Sequence, residues 1–274
     1  MTRVAGVLGV VAIASICGPL AAAPMHQPPA TTAGGSCFLL QEVGKPEIRR
    51  GPADVCAMRI APQSTFKVPH ALAALDAGVI AGADTTFRYD GSAYAFESWR
   101  RDHSLLSAMQ SSAVWYFQRL AERLGLERER AYLQRLEYGN ADPSSGLTTF
   151  WLGGSLRISP EEQLRFVRRL FDGSLPVSAT AVKVVRDVLI QPQGRIVNAG
   201  GEHAFGRWPV GTVVRAKTGS GSDGSGRAVR WLIGHVSRGG QEWIFVSCVV
   251  GGETTPPLAA IDLAAAELRR QRVL

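Results

Sequence analysis

The chain has 274 residues, of which 46% are hydrophobic and 19% charged, a balance that excludes a disordered protein and allows one large domain or two small ones. Its formal net charge is +7, but the arginines are scattered and often sit beside acids, as in residues 127–130, with no basic run interleaved with aromatic residues. This distribution argues against a nucleic-acid partner and favours a solvated basic surface.

Residues 1–23 have the pattern of an export signal. Arg3 supplies a positive charge, residues 4–17 are apolar but too short to span a bilayer, and the alanines at 21–23 offer a cleavage site. Pro24 disfavours cutting directly after the alanines, so the position of the cut stays open. Lipidation at Cys17 is the weaker alternative, because the bulky Ile16 precedes it. No other stretch contains 18 apolar residues, so we expect a periplasmic protein without a membrane anchor after cleavage.

Three cysteines follow that signal, and they predict one disulfide. Residues 24–36 are rich in Pro, Thr and Gly and are expected to be flexible. Cys37 then opens an apolar run and Cys56 follows a turn-rich return, which favours a bridge between these two cysteines in an oxidising compartment. Cys248 lies in an apolar run with the character of a central strand, and we interpret it as a buried free thiol.

Residues 37–274 are expected to form one domain in which strands at both ends enclose a mostly helical region. Hydrophobic periodicity and capping signals mark the elements. Short strands are predicted within 37–60 and at 212–216, 230–237 and 243–250; the predicted helices are 64–77, 105–124, 127–136, 159–170 and 258–271. A sheet built from such distant segments, with helices inserted, predicts an α/β (α+β) fold.

Two short motifs contain lysine, which is rare in a chain with four lysines and 26 arginines. The first, Ser64-Thr65-Phe66-Lys67, places a serine and a lysine three residues apart on one helix face. A neutral lysine can take the proton of a serine hydroxyl, whereas arginine stays charged. The second, Lys217-Thr218-Gly219, follows a strand-like segment and offers a cation and a hydroxyl to a carboxylate. The first motif alone would occur by chance roughly 0.3 times in this composition, but the ordered pair is typical of penicillin-recognising serine enzymes.

Further residues add to these motifs only in combination. Ser112 and Val114 fall in a helical region, Tyr138-Gly139-Asn140 opens the turn-rich segment 138–157, and Trp151 closes it. Taken singly, they are most simply a surface serine, a turn and a core aromatic residue. Their order together resembles the class D, or oxacillinase-type, serine β-lactamases across essentially the whole mature chain. The resemblance implies a central antiparallel sheet flanked by helices, an all-helical region, and an active site at their junction.

The resemblance also implies catalytic roles. Ser64 would be the acylated nucleophile, and Lys67 would be its general base after CO2 has carboxylated the side-chain nitrogen. Trp151 would donate a hydrogen bond to that carbamate, Ser112 would assist proton transfer to the leaving nitrogen, and Val114 would help to keep the lysine pocket dry. The enzyme would thereby hydrolyse penicillin-type antibiotics and give resistance.

Substrate binding is the second role that the resemblance implies. Lys217 and Thr218 would face the substrate carboxylate, Gly219 would let the substrate approach the backbone, and the N–H groups of Ser64 and Ser220 would form the oxyanion hole. The supporting residues near the site would be Phe66, Tyr138, Gly139 and Asn140.

One departure from the family concerns the substrate carboxylate. In many class D enzymes an arginine on the segment that leads into the final helix binds it, and residues 254–260 contain no arginine here. Recognition of the carboxylate would then rest on Lys217 and Thr218, and an arginine elsewhere, such as Arg227 or Arg230, is a further candidate. The glycine- and serine-rich segment 219–226 is expected to be an unusually flexible loop.

Two rival functions share a serine–lysine site. A β-lactam sensor domain traps the acyl-enzyme and signals through membrane helices, and a cell-wall transpeptidase or carboxypeptidase usually has asparagine where Val114 stands. A β-lactamase is the preferred interpretation. The five histidines lack metal-ligand spacing, so no metal is expected, and only CO2 or bicarbonate is needed for lysine carboxylation. The expected partner is a small-molecule β-lactam, bound by a monomer or a homodimer.

Overall fold

The computed structural model describes residues 1–2 and 34–274. The predicted export signal, with Cys17, and the predicted flexible segment up to residue 33 lie outside the described residues. The first strand begins at Gly35, so the folded domain starts two residues before the predicted boundary at Cys37. Within the described part of the chain, no helix has the length and apolar character that a bilayer-spanning segment needs.

A five-stranded antiparallel sheet forms the centre of the domain. In chain order the strands are β1 (Gly35–Glu42), β2 (Ile48–Arg50), β3 (Thr86–Phe87), β4 (His103–Ser104), β5 (Arg195–Asn198), β6 (Gly201–Ala204), β7 (Val213–Ser222), β8 (Ala228–Arg238) and β9 (Gln241–Gly251). The sheet has the order β2-β1-β9-β8-β7, while β3 pairs with β4 and β5 with β6. Strands β8 and β9 are rich in Val, Ile and Trp, which suit a pleated, buried surface.

Helices cover both faces of this sheet and build the region inserted between β2 and β7. They are α1 (Ala53–Ala57), α2 (Lys67–Asp76), α3 (Leu105–Gln110), α4 (Val114–Leu124), α5 (Leu126–Arg135), α6 (Pro160–Asp172), α7 (Ala179–Val188) and α8 (Ala259–Arg270). Helix α6 begins with a capping box between Ser159 and Glu162 and with proline at its first position, the start that the sequence predicts.

The sheet separates two hydrophobic cores, because successive side chains of a strand point to opposite faces. On β8, Trp231 and Ile233 face the larger core, which also holds apolar residues of α2, α4 and α6. The neighbouring Leu232 faces the smaller core, which α8 closes with Ala264 and Leu268. The larger core contains the aromatic residues that surround the candidate site.

Several predicted boundaries are corrected. The helix predicted at 105–124 is two helices, α3 and α4, with a break at residues 111–113, so Ser112 lies between helices. Strand β7 extends to Ser222, which places Lys217 in its middle and not at its end. Helix α7 and the β5–β6 hairpin were not predicted.

The predicted disulfide is confirmed. Cys37 on β1 and Cys56 on α1 are bonded, with their Cα atoms 5.3 Å apart. Cys56 therefore lies on a short helix that follows the β1–β2 hairpin, and not on a strand. Cys248 is a buried free thiol on β9 whose pKa is raised by burial, as the apolar run around it predicts.

Candidate active site

Ser64 lies on a 3₁₀ turn, Gln63–Phe66, that leads directly into α2. It is the one partly exposed residue in the otherwise buried run 61–74. The Gln63 N–H donates to the Trp151 carbonyl at 3.1 Å, which fastens the turn to the 138–157 segment. The serine hydroxyl therefore reaches solvent from a backbone that is held on several sides.

Lys67, the first residue of α2, supplies the nearest base to that hydroxyl. Its Nζ lies 2.7 Å from Ser64 Oγ, and its side chain is fully buried. Burial, with a further contribution from the charge of Lys217, holds the pKa of Lys67 well below its usual range. This shift favours the neutral amine, the form that can accept the serine proton.

A second lysine–serine pair lies on the other side of the site. Lys217 Nζ donates to Ser112 Oγ at 2.9 Å and to the Thr218 carbonyl at 3.0 Å. Burial lowers the pKa of Lys217 to about 7. Ser112 occupies the break between α3 and α4 with a φ of 56°, a left-handed conformation that is unusual for serine. This strained backbone places its hydroxyl against β7.

Trp151 lies in an aromatic cluster with Phe66 and His70, and Val114 lies two residues after Ser112. Trp151 is fully buried, and its ring centroid lies 5.3 Å from that of Phe66 and 5.7 Å from that of His70. Its indole Nε1 has no acceptor among the described residues, so the site contains a buried donor whose partner the protein does not provide. Val114 begins α4 and is half-buried beside Ser112.

Tyr138-Gly139-Asn140 holds the segment that carries Trp151. Asn140 Nδ2 donates to the Ser155 carbonyl at 2.8 Å, and its Oδ1 accepts from the Arg157 N–H at 2.8 Å. Gly139 has a φ of +58°, and a Cβ there would lie 2.0 Å from the Arg157 carbonyl oxygen. These three residues therefore act on the site by fixing a loop.

Gly219 lies against the turn that carries Ser64. A Cβ on Gly219 would lie 2.9 Å from the Pro62 carbonyl oxygen, so the glycine allows the Gln63–Phe66 turn to approach β7. The expectation of a flexible loop at 219–226 is corrected. Its first four residues are paired with β8, and Asp223 Oδ2 then accepts from Arg227 Nε at 2.7 Å.

Of the two arginines considered for the carboxylate, only Arg230 lacks an acidic partner among the described residues. Arg227 is paired with Asp223. Arg230 lies on β8 opposite Ser220, the exposed serine that follows Gly219. It donates only to carbonyl oxygens, those of Gly221, Val229 and Thr255, and burial lowers its pKa.

Three buried polar side chains support the site without having been predicted. Gln63 has a φ of 52° and donates from Nε2 to the Ser222 carbonyl at 2.6 Å. Gln163 Nε2 donates to Thr65 Oγ1 at 2.7 Å and to Tyr138 Oη at 3.1 Å. His70 Nε2 lies 2.7 Å from a Glu129 carboxylate oxygen in the core beneath Trp151. A glutamine on the apolar face of helix 159–170 was the one sequence signal that could have identified any of them.

Comparison with known proteins agrees with this geometry. Residues 43–267 match the family described as the penicillin binding protein transpeptidase domain. The structure of class D β-lactamase BAT-2 superimposes with a TM-score of 0.76 at 31% identity, over 88% of this chain and 93% of that one. The chain belongs to the class D β-lactamase family. Membership confirms the predicted fold class and the resemblance from which it was inferred.

Relatives in this family include both a β-lactamase and a regulatory protein. The chain is 40% identical over 165 residues to β-lactamase OXA-2 of Salmonella typhimurium, which is 57% of this chain and 60% of OXA-2. It is 31% identical over 215 residues to the regulatory protein BlaR1 of Bacillus licheniformis, which is 78% of this chain and 33% of BlaR1. The chain therefore matches less than two thirds of the length of either relative.

Proposed function

We propose that this protein is a serine β-lactamase that hydrolyses the β-lactam amide of penicillin-type antibiotics and so gives resistance. The observation that carries the proposal is the 2.7 Å contact between Ser64 Oγ and the buried amine of Lys67. A serine hydroxyl is a weak nucleophile until a base takes its proton, and a neutral amine at this distance is such a base.

In the proposed reaction Ser64 Oγ attacks the β-lactam carbonyl, and the carbon–nitrogen bond of the ring breaks. Ser112, held by Lys217 at 2.9 Å, passes a proton to the leaving nitrogen. The backbone N–H groups of Ser64 and Ser220 bind the oxygen on which negative charge develops. Water then attacks the ester on Ser64, which releases the ring-opened acid and restores the hydroxyl.

We further propose that Lys67 is carboxylated. CO2 would supply an anionic base on the Lys67 nitrogen for both attack steps. Two features of the site fit this group: burial lowers the pKa of Lys67, which favours the neutral amine that reacts with CO2, and the Trp151 indole N–H is a buried donor without an acceptor among the described residues. Phe66 and Phe117 line the same pocket, the Phe117 ring centroid lying 5.4 Å from Lys67 Nζ.

Substrate carboxylate recognition is assigned to Lys217, Thr218 and Arg230. Thr218 and Ser220 are two residues apart on β7 and share a face, and Arg230 lies opposite Ser220 on that face. A half-buried guanidinium that contacts only neutral carbonyl oxygens gains a charged acceptor when a carboxylate arrives. Arg230 therefore replaces the arginine that residues 254–260 do not contain.

One experiment separates this function from its rivals. The protein is mixed with benzylpenicillin, and ring opening is followed by absorbance while intact-protein mass is recorded over time. We expect many turnovers per protein molecule, a transient adduct, and neither in Ser64→Ala. Ser144→Ala, an exposed serine in the same domain, is the matched control. A stable adduct with one turnover would instead identify a sensor of the BlaR1 kind or a cell-wall enzyme.

The proposed location is the periplasm, reached through the signal in residues 1–23. The test is N-terminal sequencing of protein from the periplasmic fraction. A new N-terminus close to residue 23 supports export, and an uncleaved chain retained in the cytoplasm contradicts it.

A further inference from the structure

A pocket of about 400 Å³ lies between α7 and the first half of β7, apart from the proposed active site. It contains none of Ser64, Lys67, Ser112 or Lys217. Four charged residues line it, three of them basic, together with small apolar residues of the α6–α7 connection. The lining residues include Val177, Val182, Lys183, Arg186, Asp187 and Arg215.

Arg215 is the unusual member of this pocket. Its side chain is half-buried, yet among the described residues no hydrogen bond or ion pair reaches its guanidinium group. Its Nε is fully buried without an acceptor, and burial lowers its pKa. A guanidinium presents five donors in a planar fork, so leaving them without an acceptor in a desolvated position is costly.

The other basic groups of the pocket leave it positively charged. Lys183 Nζ is paired with Asp187 at 2.7 Å, and the charge of Asp187 also attracts Arg215 without an ion-pair contact. Arg186 donates from Nε and Nη2 to the Leu170 carbonyl, which is a neutral acceptor. The pocket therefore holds two cationic guanidinium groups, those of Arg186 and Arg215, that lack an anionic partner among residues 34–274.

The wall behind Arg215 places no described acid within ion-pair distance of its guanidinium group. His235 lies directly opposite Arg215 in the β7–β8 register and stacks on Phe171 with centroids 4.0 Å apart. Burial, with the charges of Arg215 and Arg186, lowers the pKa of His235 to about 4, so the ring is neutral. Glu242 lies 3.7 Å from the His235 ring and attracts the Arg215 charge without forming an ion pair with it.

We propose that this pocket binds a phosphate group, with the Arg215 guanidinium as its bidentate donor and Arg186 as the second cation. A tetrahedral oxyanion offers two oxygens in the spacing that a guanidinium fork matches. The pocket volume exceeds what inorganic phosphate requires, so a phosphate monoester fits as well. The site is separate from β-lactam hydrolysis, and its ligand does not depend on that activity.

The test is calorimetric titration of the full chain with inorganic phosphate, at an ionic strength held constant with chloride. We expect saturable binding of one phosphate, and an affinity at least about tenfold weaker in Arg215→Gln, because charged hydrogen bonds are lost. The matched control is Arg165→Gln, which removes the same charge from an exposed position on α6. Equal phosphate affinity in wild type and Arg215→Gln, or no saturable binding in wild type, overturns the proposal.

Asp187→Asn is expected to strengthen phosphate binding, an effect that loss of the fold would not produce. This change removes the one acid of the pocket and frees Lys183, so phosphate should bind more tightly than in wild type. Weaker or unchanged binding in a folded Asp187→Asn protein contradicts the assignment. A parallel titration with glycerol phosphate distinguishes the two sources of the group. Binding there shows that a monoester is accepted, and binding of inorganic phosphate alone limits the site to the free ion.

Discussion

Two lysine–serine pairs form the centre of the proposed active site, and they differ in what else each amine contacts. Ser64 lies on the 3₁₀ turn that leads into α2, and Lys67 is the first residue of α2, so their contact joins residues only three apart in the sequence. Lys217 and Ser112 are separated by 105 residues and meet only because β7 lies against the break between α3 and α4. The same residue types are therefore brought together once by helix periodicity and once by tertiary structure.

The surroundings of the two amines differ in a way that fits the covalent role proposed for the Lys67 pair. Lys217 makes a second hydrogen bond, to the Thr218 carbonyl. Lys67 has Ser64 as its one hydrogen-bond partner among the described residues, lies 5.4 Å from the Phe117 ring centroid, and has its pKa lowered by burial and by the charge of Lys217. One lysine is positioned to remain a donor, and the other to be a base.

The largest difference between the pairs should appear on removing each hydroxyl. Ser64→Ala should lower kcat/KM for benzylpenicillin by roughly 10⁴-fold or more, because a covalent route no longer exists. Ser112→Ala should cost about 10²–10³-fold, the usual range for one proton-transfer group. Steady-state kinetics on both variants, with circular dichroism to show that they are folded, provides the measurement. Similar losses in the two would mean that the pairs are not functionally distinct.

Replacing each lysine by arginine tests whether Lys67 acts as a base and Lys217 as a cation. Lys67→Arg should lose roughly 10²–10⁴-fold in kcat, because arginine cannot become neutral. Lys217→Arg retains a cation and should lose only about tenfold, mainly in KM. If Lys67→Arg does not fold, Lys67→Met removes the base with an apolar side chain of similar length. A Lys67→Met enzyme that still turns over at more than a tenth of the wild-type rate contradicts the role assigned to Lys67.

The sequence predicted the local pair far better than the distant one. Three-residue spacing on a helix places Ser64 and Lys67 on one face, and the prediction needed nothing more. At Ser112 the apolar periodicity continues across residues 111–113, so the sequence shows no sign of the break or of the left-handed φ. That conformation is imposed by contacts with β7, which a helix pattern does not contain.

Other differences have similar physical causes. Helix α7 was missed because Thr180, Val182, Val184 and Val185 are β-branched and weaken a helical pattern. The glycine-rich segment 219–226 was predicted to be a flexible loop. The glycines at its start instead lie on β7, where the absence of a side chain lets the Gln63–Phe66 turn pack directly on the strand. Capping of α6 and the Cys37–Cys56 bridge were predicted, since both depend on neighbouring residues or on a short loop.

Trp151→Phe tests whether the Lys67 side of the site carries an anion. The variant keeps the ring packing and removes the indole N–H, so deacylation should slow by about 10–100-fold and respond more strongly to added bicarbonate. Benzylpenicillin turnover is measured across bicarbonate concentrations, and acyl-enzyme is followed by mass. Trp243→Phe, in the smaller core, is the control. Full activity in degassed wild type, with no added bicarbonate demand in Trp151→Phe, would show that Lys67 acts as a plain amine.

The pKa of Lys217 should be visible in stability. Its pKa is about 7 in the folded protein and near 10.4 when unfolded, so the unfolded chain binds more protons between these values. The free-energy cost of burying Lys217, which is protonated in the unfolded chain, is fully present below pH 7. It decreases as the pH rises toward 10, so the protein becomes more stable over this range. Between these pH values one titrating lysine makes the free energy of unfolding rise by about 1.4 kcal/mol per pH unit, and Lys217→Met should remove that contribution. Urea unfolding of both proteins at pH 7 and pH 9 measures it, and an unchanged slope contradicts the shift.

Arg230 should act with Lys217 in binding the substrate carboxylate. Its loss should therefore weaken substrate binding more than it slows the chemical steps. Arg230 on β8 lies on the same face of the sheet as Thr218 on β7, and it has no acidic partner among the described residues. Arg227, in contrast, is paired with Asp223. Arg230→Gln should therefore raise KM for benzylpenicillin about tenfold and leave kcat within a factor of about three, because one charged hydrogen bond to the carboxylate is lost. Arg227→Gln, which removes the same charge four residues from Asp223, should change KM far less.

The carboxylate itself supplies the control for this prediction. A penicillin methyl ester lacks the negative charge, so wild type should bind it more weakly than the acid, and Arg230→Gln should lose most of that discrimination. Double-variant coupling between Arg230→Gln and the methyl ester isolates the contact from any general damage to the fold. If the ester and the acid are discriminated equally in wild type and in Arg230→Gln, the carboxylate is bound by Lys217 and Thr218 without Arg230, and the site works with a single cation.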